Sequence, residues 1–281
     1  MEIEIENYAA VGVSSHTCAE HAQVWLPPGY TLTGGGAVDL AGAGAGSGAI
    51  AITSCYPIRD AQGVYSGWAA AGSAPGPLTV YAIGIRVTRG GVPVAVEQAV
   101  FCASSALVAE PGVCARLGAG WIGTGGGAQD SCASPAGGNA LTASHPLLGA
   151  DGKICGWSAA GKDRSPAEQA RVTAFVIGIR GAAGIVLDAS MVTNASLMTG
   201  FPSALAAAPR GAVVVGGGAL GAARGEGMML SATCPVIRER DARLTGWYAA
   251  RKVARGAAPG AITAYSVMLK ATHNGIWSER L

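Results

Sequence analysis

The amino-acid sequence predicts an all-β protein: three tandem units of about 91 residues, folded as a single domain over residues 1–281 with approximate three-fold symmetry. Three observations predict it. Four short motifs recur three times, in one order and at a nearly constant step. The apolar segments alternate with period two, the spacing of a strand with one buried face. The chain also carries 44 glycines, well above the usual share of about 7%, spread between short apolar runs without a Gly-X-Y period.

The step sets the units. Gly34-Gly35-Gly36-Ala37 returns as Gly125-Gly126-Gly127-Ala128 and as Gly216-Gly217-Gly218-Ala219, so 34 to 125 and 125 to 216 are both 91 residues. An internal period of this length marks one supersecondary unit used several times. Next come Ser54-Cys55-Tyr56-Pro57, Ser144-His145-Pro146 and Thr233-Cys234-Pro235, then Gly67-Trp68, Gly156-Trp157 and Gly246-Trp247. The fourth block is Thr79-Val80-Tyr81, Thr173-Ala174-Phe175 and Thr263-Ala264-Tyr265. Units of about 7–97, 98–188 and 189–279 follow.

Along the chain, each block reads as a strand. The N-terminal segment alternates Glu2, Glu4 and Glu6 with Ile3 and Ile5, which suits a half-buried sheet position. It has no basic or apolar leader region, so the chain is expected to be cytoplasmic, or secreted with its leader removed. The glycine triplet lets a strand bulge and lets another backbone approach closely. A phosphate cradle would need G-x-G-x-x-G between strand and helix, or the Walker lysine, and neither context exists. In the fourth block Thr79, Tyr81, Ile83 and Ile85 share one face, the expected core, while the other face ends in Arg86, matched by Arg180 and Lys270. A glycine-containing turn leads to a fifth strand whose acidic residue recurs as Glu97, Asp188 and Glu279. Subtracting 91 from 97 gives Glu6, so this strand has four copies for three places. One terminal strand is expected to fill the third unit's place. The other should lie beside it or pair with a neighbouring molecule, making a homo-oligomer.

Composition excludes several classes. Half the residues are hydrophobic and 13% charged, the balance of a packed chain rather than a disordered one. A net charge of +2 from 19 basic and 17 acidic residues is too even for a nucleic-acid binder. No uninterrupted apolar run reaches the length of a transmembrane helix. Seven cysteines, at 18, 55, 102, 114, 132, 155 and 234, include no C-x-x-C pair. They read as mainly reduced thiols, with Cys102 and Cys114 able to bridge in an oxidising compartment. No metal or other cofactor is expected.

The order G-G-G-A, S-x-P, G-W-x-A, T-A-Y resembles repeats of bacterial proteins of poorly defined function, over residues 29 to 270. In architecture the three-fold all-β plan is similar to the β-prism of the vitelline membrane outer layer protein family and, more loosely, to prism lectins. That resemblance implies sugar binding or a place in an extracellular coat, and it carries over no site residue.

Trp68, Trp157 and Trp247 are either equivalent platforms for sugar rings or wedges in the core with the indole N–H bonded internally. The loops after the proline blocks hold Asp60, Asp151 and Asp241, whose carboxylates suit sugar hydroxyls or a solvated turn equally well. The His16-Thr17-Cys18-Ala19-Glu20-His21 cluster has metal-ligating types, but a surface loop accounts for it. Ser144 and His145 are strand neighbours and so point to opposite faces, without a nucleophile elbow. No catalytic residue is assigned. The reading is a non-enzymatic, lectin-like binding protein for a glycan or cell-surface polysaccharide. Its alternatives are a self-assembling surface or coat protein and an enzyme on a β scaffold.

Overall fold

The computed structural model describes residues 3–16, 21–39, 50–73, 76–132, 139–162, 169–182, 184–222, 228–253 and 259–273. The described residues contain strands, turns and bends but no helix, and none of them forms a helix long and apolar enough to cross a membrane. Among the described residues nineteen strands make three antiparallel sheets. The first runs β1 (Ile3–His16), β6 (Gly76–Arg89), β3 (Thr31–Asp39), β17 (Met228–Arg238), β18 (Arg243–Val253) and β15 (Ser203–Ala207), with β7 (Val92–Val94) added on β6. The second runs β8 (Val96–Ser104), β13 (Ala170–Gly181), β10 (Ile122–Cys132), β4 (Ile52–Arg59), β5 (Tyr65–Gly72) and β2 (Ala22–Trp25). The third runs β14 (Ile185–Ala195), β19 (Ala261–His273), β16 (Val213–Ala222), β11 (Ala140–Leu148), β12 (Ile154–Lys162) and β9 (Gly112–Arg116).

Each sheet joins two three-stranded halves from distant parts of the chain. The joint is short: β17 meets β3 only at Ala232↔Val38 and Thr233↔Ala37, β4 meets β10 only at Cys55↔Ala128 and Ser54↔Gln129, and β11 meets β16 only at Ala143↔Leu220 and Ser144↔Ala219. Pro57, Pro146 and Pro235 follow each joint by two residues. A proline has no N–H for a ladder, which fits the pairing stopping there. The outer strands of the sheets meet in pairs, β1 against β2, β8 against β9 and β14 against β15. Each outer strand thus has the outer strand of another sheet beside part of its length, which blunts the recruitment that bare edges invite.

The glycine triplet explains how the sheets come so close. At each triplet the register with the neighbouring strand shifts, between Leu32 and Gly34, Gly123 and Gly125, and Val214 and Gly216, the mark of a β-bulge. A Cβ on Gly34, Gly125 or Gly216 would lie less than 3.0 Å from the carbonyl oxygen of Val215, Thr33 or Thr124 respectively. These contacts run in a cycle through all three sheets. The bulged threonines bind along it: the Thr33 hydroxyl donates to the Val215 carbonyl at 2.8 Å, and the Thr124 hydroxyl to the Thr33 carbonyl at 2.9 Å. The second glycines, Gly35, Gly126 and Gly217, lie under the indoles of Trp68, Trp157 and Trp247. The third, Gly36, Gly127 and Gly218, face the carbonyls of Thr233, Cys55 and Ser144 at the joints.

The pairing corrects one part of the surplus-strand expectation, the place of the acidic strands within the sheets. The acidic strand pairs with the Thr-x-aromatic strand that follows it, Glu6 opposite Arg86, Glu97 opposite Arg180 and Asp188 opposite Lys270. It therefore opens each sheet half instead of closing the preceding one. β1 takes the first sheet's place, and β14 already fills that of the third. Glu279 lies outside the described residues.

Substituting the second glycine tests the close approach. Gly126→Ala puts a methyl group against the Trp157 indole and the Phe175 carbonyl and is expected to cost about 3 kcal/mol or more in urea unfolding. Gly112→Ala, whose nearest neighbour is 4.0 Å away, should stay within about 0.5 kcal/mol of the parent.

Candidate functional site

The three tryptophans of the repeated motif are fully buried, each with 0% exposure. Their indole N–H groups donate to Cys55 Sγ at 3.1 Å, Ser144 Oγ at 2.9 Å and Thr233 Oγ1 at 2.9 Å. The residue two before each proline is thus the acceptor that lets an indole be buried without an unmet donor. The buried Cys55 thiol is pushed up to about 12, which keeps it protonated. None of the three rings presents a face to solvent, so a sugar has nothing to stack on there.

Asp60, Asp151 and Asp241 stand in the turns after β4, β11 and β17, and their carboxylates bind the turns themselves. Asp60 Oδ1 accepts the N–H groups of Gln62 at 3.0 Å and Val64 at 2.9 Å, and Oδ2 accepts the Ser66 hydroxyl at 2.9 Å. The bond from Val64 is the main reason its carboxyl titrates below the usual range. Asp151 accepts the Lys153 N–H at 3.0 Å. Asp241 is gripped by the Arg238 guanidinium, which chiefly lowers its carboxyl to about 2.

Ser144 and His145 do not form a dyad. The Ser144 hydroxyl turns inward to Trp157, while His145 stacks on Tyr265 across the joint at 5.5 Å and 19° and shares a 3.0 Å bond with the Pro146 carbonyl. Tyr56 holds the corresponding place at another joint, stacked on Phe175 at 5.6 Å and 21°. Of the 16–21 cluster, residues 17–20 lie outside the described residues; His21 shares a 3.1 Å hydrogen bond with the Tyr56 hydroxyl. Among the described residues no group of His, Cys, Asp and Glu has the composition of a metal site. Cys102 and Cys114 are exposed free thiols.

A different set of side chains does converge at the surface. Arg86 binds the Glu6 carboxylate at 2.5 Å through one terminal nitrogen and at 3.1 Å through Nε. The Tyr30 hydroxyl donates to the other Glu6 oxygen at 2.6 Å. The guanidinium lies 5.3 Å from the Tyr30 ring centre, and Tyr8 packs against that ring at 5.2 Å. The Tyr30 bond, followed by Arg86, holds the Glu6 carboxyl below its ordinary value. A similar pattern stands in the second sheet, where Glu97 and Trp121 lie 91 residues beyond Glu6 and Tyr30, and Arg180 lies 94 beyond Arg86. Arg180 binds Glu97, its guanidinium 4.4 Å over the half-buried Trp121 ring, with Phe101 edge-on at 6.0 Å. In the third sheet Ala212 takes the ring's place, and Asp188 pairs with Lys153. The cations and acids of these clusters are visible in the sequence as repeated residues. The rings of Tyr30 and Trp121 are also 91 apart but carry no three-fold signal in the sequence, because the third copy is Ala212.

Compared with known proteins, the chain matches no family model and no curated protein.

Two expectations test the buried groups. Trp157→Ala should cost about 3–5 kcal/mol of stability in chemical denaturation, as large aromatic deletions in cores do. Burial lowers the pKa of His145 from its ordinary 6.5, so the unfolded chain takes up this proton more readily than the folded one. Stability should therefore be full above pH 6.5 and fall as acid is added below it. In melting curves from about pH 7.5 to about pH 5, a span that brackets the ordinary histidine pKa, His145→Phe should lose less stability than the parent.

Proposed function

We propose that the chain is a lectin-like glycan-binding protein, built as a β-prism of three tandem units of about 91 residues, and that its ligand sites are the Tyr30–Glu6–Arg86 and Trp121–Glu97–Arg180 clusters. One observation carries this reading. The aromatic ring beside the carboxylate–guanidinium pair recurs at matching positions in two sheets, yet the third folds with Ala212 there. The ring is therefore dispensable for making a sheet, and a role outside folding accounts for its presence twice.

The chemistry fits a saccharide. Sugar C–H groups pack on an aromatic surface, and ring-flanking acceptors and donors meet vicinal hydroxyls; Glu97 supplies acceptor oxygens and Arg180 a fork of N–H donors. Both charges are exposed and already paired, so engaging a neutral ligand strips water from no lone ion. Two sites on one rigid body favour a repeating polysaccharide over a single sugar, since the second contact is intramolecular.

A glycan array probed with the natural chain, Trp121→Ala and Tyr30→Ala tests this. Binding to a polysaccharide class should fall at least about tenfold in each variant, the loss of one stacking contact, while the melting temperature stays within a few degrees. No glycan binding by the natural chain, or equal binding by both variants, overturns the proposal.

A further inference from the structure

The two aromatic clusters differ at a single oxygen. In the first, both oxygens of the Glu6 carboxylate are engaged. Arg86 donates to Oε2 through Nε at 3.1 Å and through a terminal nitrogen, and the Tyr30 hydroxyl donates to Oε1 at 2.6 Å. In the second, Arg180 likewise donates twice to Oε2 of Glu97, through Nε at 3.0 Å and through a terminal nitrogen. Oε1 of Glu97 has no donor among the described residues, and the side chain is exposed.

Trp121 accounts for the difference. It stands at the position of Tyr30, 91 residues on, with a guanidinium over its ring in the same way, 4.4 Å from the centre against 5.3 Å. An indole, however, has no hydroxyl to give to the acid. Its one polar group is the Nε1–H, which donates to no group among the described residues. The indoles of Trp68, Trp157 and Trp247, by contrast, all have internal acceptors. β13 lies along one side of the Trp121 ring: a Cβ on Gly178 would come to 3.0 Å from that side chain, and Arg180 follows on the same strand. Around a half-buried ring the cluster therefore offers one charged acceptor and one donor that the fold does not use.

Building on the glycan-binding reading, we infer that the Trp121 cluster reads the hydroxyl pattern of a neutral hexopyranose unit. The C–H face of the sugar packs on the indole, one hydroxyl donates to Glu97 Oε1, and a vicinal one accepts from the Trp121 N–H. Tyr30 shows the geometry from within the protein: its hydroxyl on Glu6 Oε1 marks where a sugar hydroxyl meets Glu97. In the first cluster that place belongs to the phenol, so the Tyr30 ring supplies a packing surface while its acid reads no ligand hydroxyl. The charge of Glu97 selects a neutral sugar. A uronate or sulfated unit would set a second anion beside Oε1, and two N–H donors of Arg180 that would offset it already face Oε2. Hydrogen bonds to a charged acceptor are the stronger kind. Both unused groups meet water in the free protein, so a ligand hydroxyl takes over bonds that water makes.

Affinity gel electrophoresis in a mannan, a galactan, a dextran and a β-glucan, with alginate as the acidic control, tests this. The natural chain should be retarded by at least one neutral polysaccharide and not by alginate. Glu97→Gln keeps the size of the side chain and removes its charge. It should weaken the retardation about tenfold, the loss of one hydrogen bond to a charged acceptor. Tyr30→Phe keeps the ring and releases Glu6 Oε1, so its binding should equal or exceed that of the natural chain. Both side chains reach the surface and the Glu97 ion pair is exposed, so melting temperatures should stay within a few degrees, which separates lost recognition from lost folding. Undiminished binding by Glu97→Gln, binding lost in Tyr30→Phe, or retardation by alginate as strong as by the neutral polymers overturns the inference and leaves a glycan-binding protein in place. Retardation by none of these polymers overturns it as well, and the glycan array then decides the wider reading separately.

Discussion

Three backbones brought closer than a side chain permits are the constraint on which the rest of this structure depends. The bulged strands of the three sheets touch in a cycle, Gly34 on Val215, Gly125 on Thr33 and Gly216 on Thr124. No residue but glycine fits, because a Cβ there would overlap a carbonyl oxygen of the next sheet. The hydroxyls of Thr33 and Thr124 tie the same contact with hydrogen bonds between sheets, while Val215 at the third place has no hydroxyl to donate. Interactions of this kind gain strength where water is excluded and cost heavily when broken.

From that contact the other shared features follow. Sheets so close leave a slot over the second glycine that a flat indole fills, and the indole in turn needs an internal acceptor. Cysteine, serine and threonine each serve at that position, since all reach the same N–H. Departures from the pattern come with local compensation. Where Asp39 and Asp130 stand in two sheets, the third has Gly221, and the buried Arg251 lies over it. Burial pushes that guanidinium down to about 10, still charged at neutral pH, with the Ala261 carbonyl accepting from it at 3.3 Å.

The ends of the sheets obey no such constraint, and there the three parts diverge. One end carries an aromatic ring with an ion pair twice and an ion pair without a ring once. At the other end one loop presents Leu197, Met198 and Phe201 where its counterpart has Ala106, Leu107 and Glu110. A scaffold locked at its centre leaves its loops and strand ends free to vary. Aspartates in the β4–β5, β11–β12 and β17–β18 turns remain tied to turn geometry, so variation there has less room to serve a ligand.

Strand alternation, the recurrence of motifs at a step of 91 and a reason for glycine at the triplet were legible in the sequence alone, because alternation and motif spacing are periodic properties of a linear chain. The matching acids and cations were legible for the same reason. Their pairing was not: Glu6 and Arg86 are 80 residues apart, and a repeated acid says nothing about whether its strand closes one unit or opens the next. Only the tertiary structure decided that it opens. Only tertiary structure, too, buried Trp68, Trp157 and Trp247 and left Tyr30 and Trp121 half-buried at the surface. A strand's pattern marks one face as apolar, but whether a second sheet covers the other face depends on contacts such as Thr33 to Val215, 182 residues apart, for which no local pattern exists.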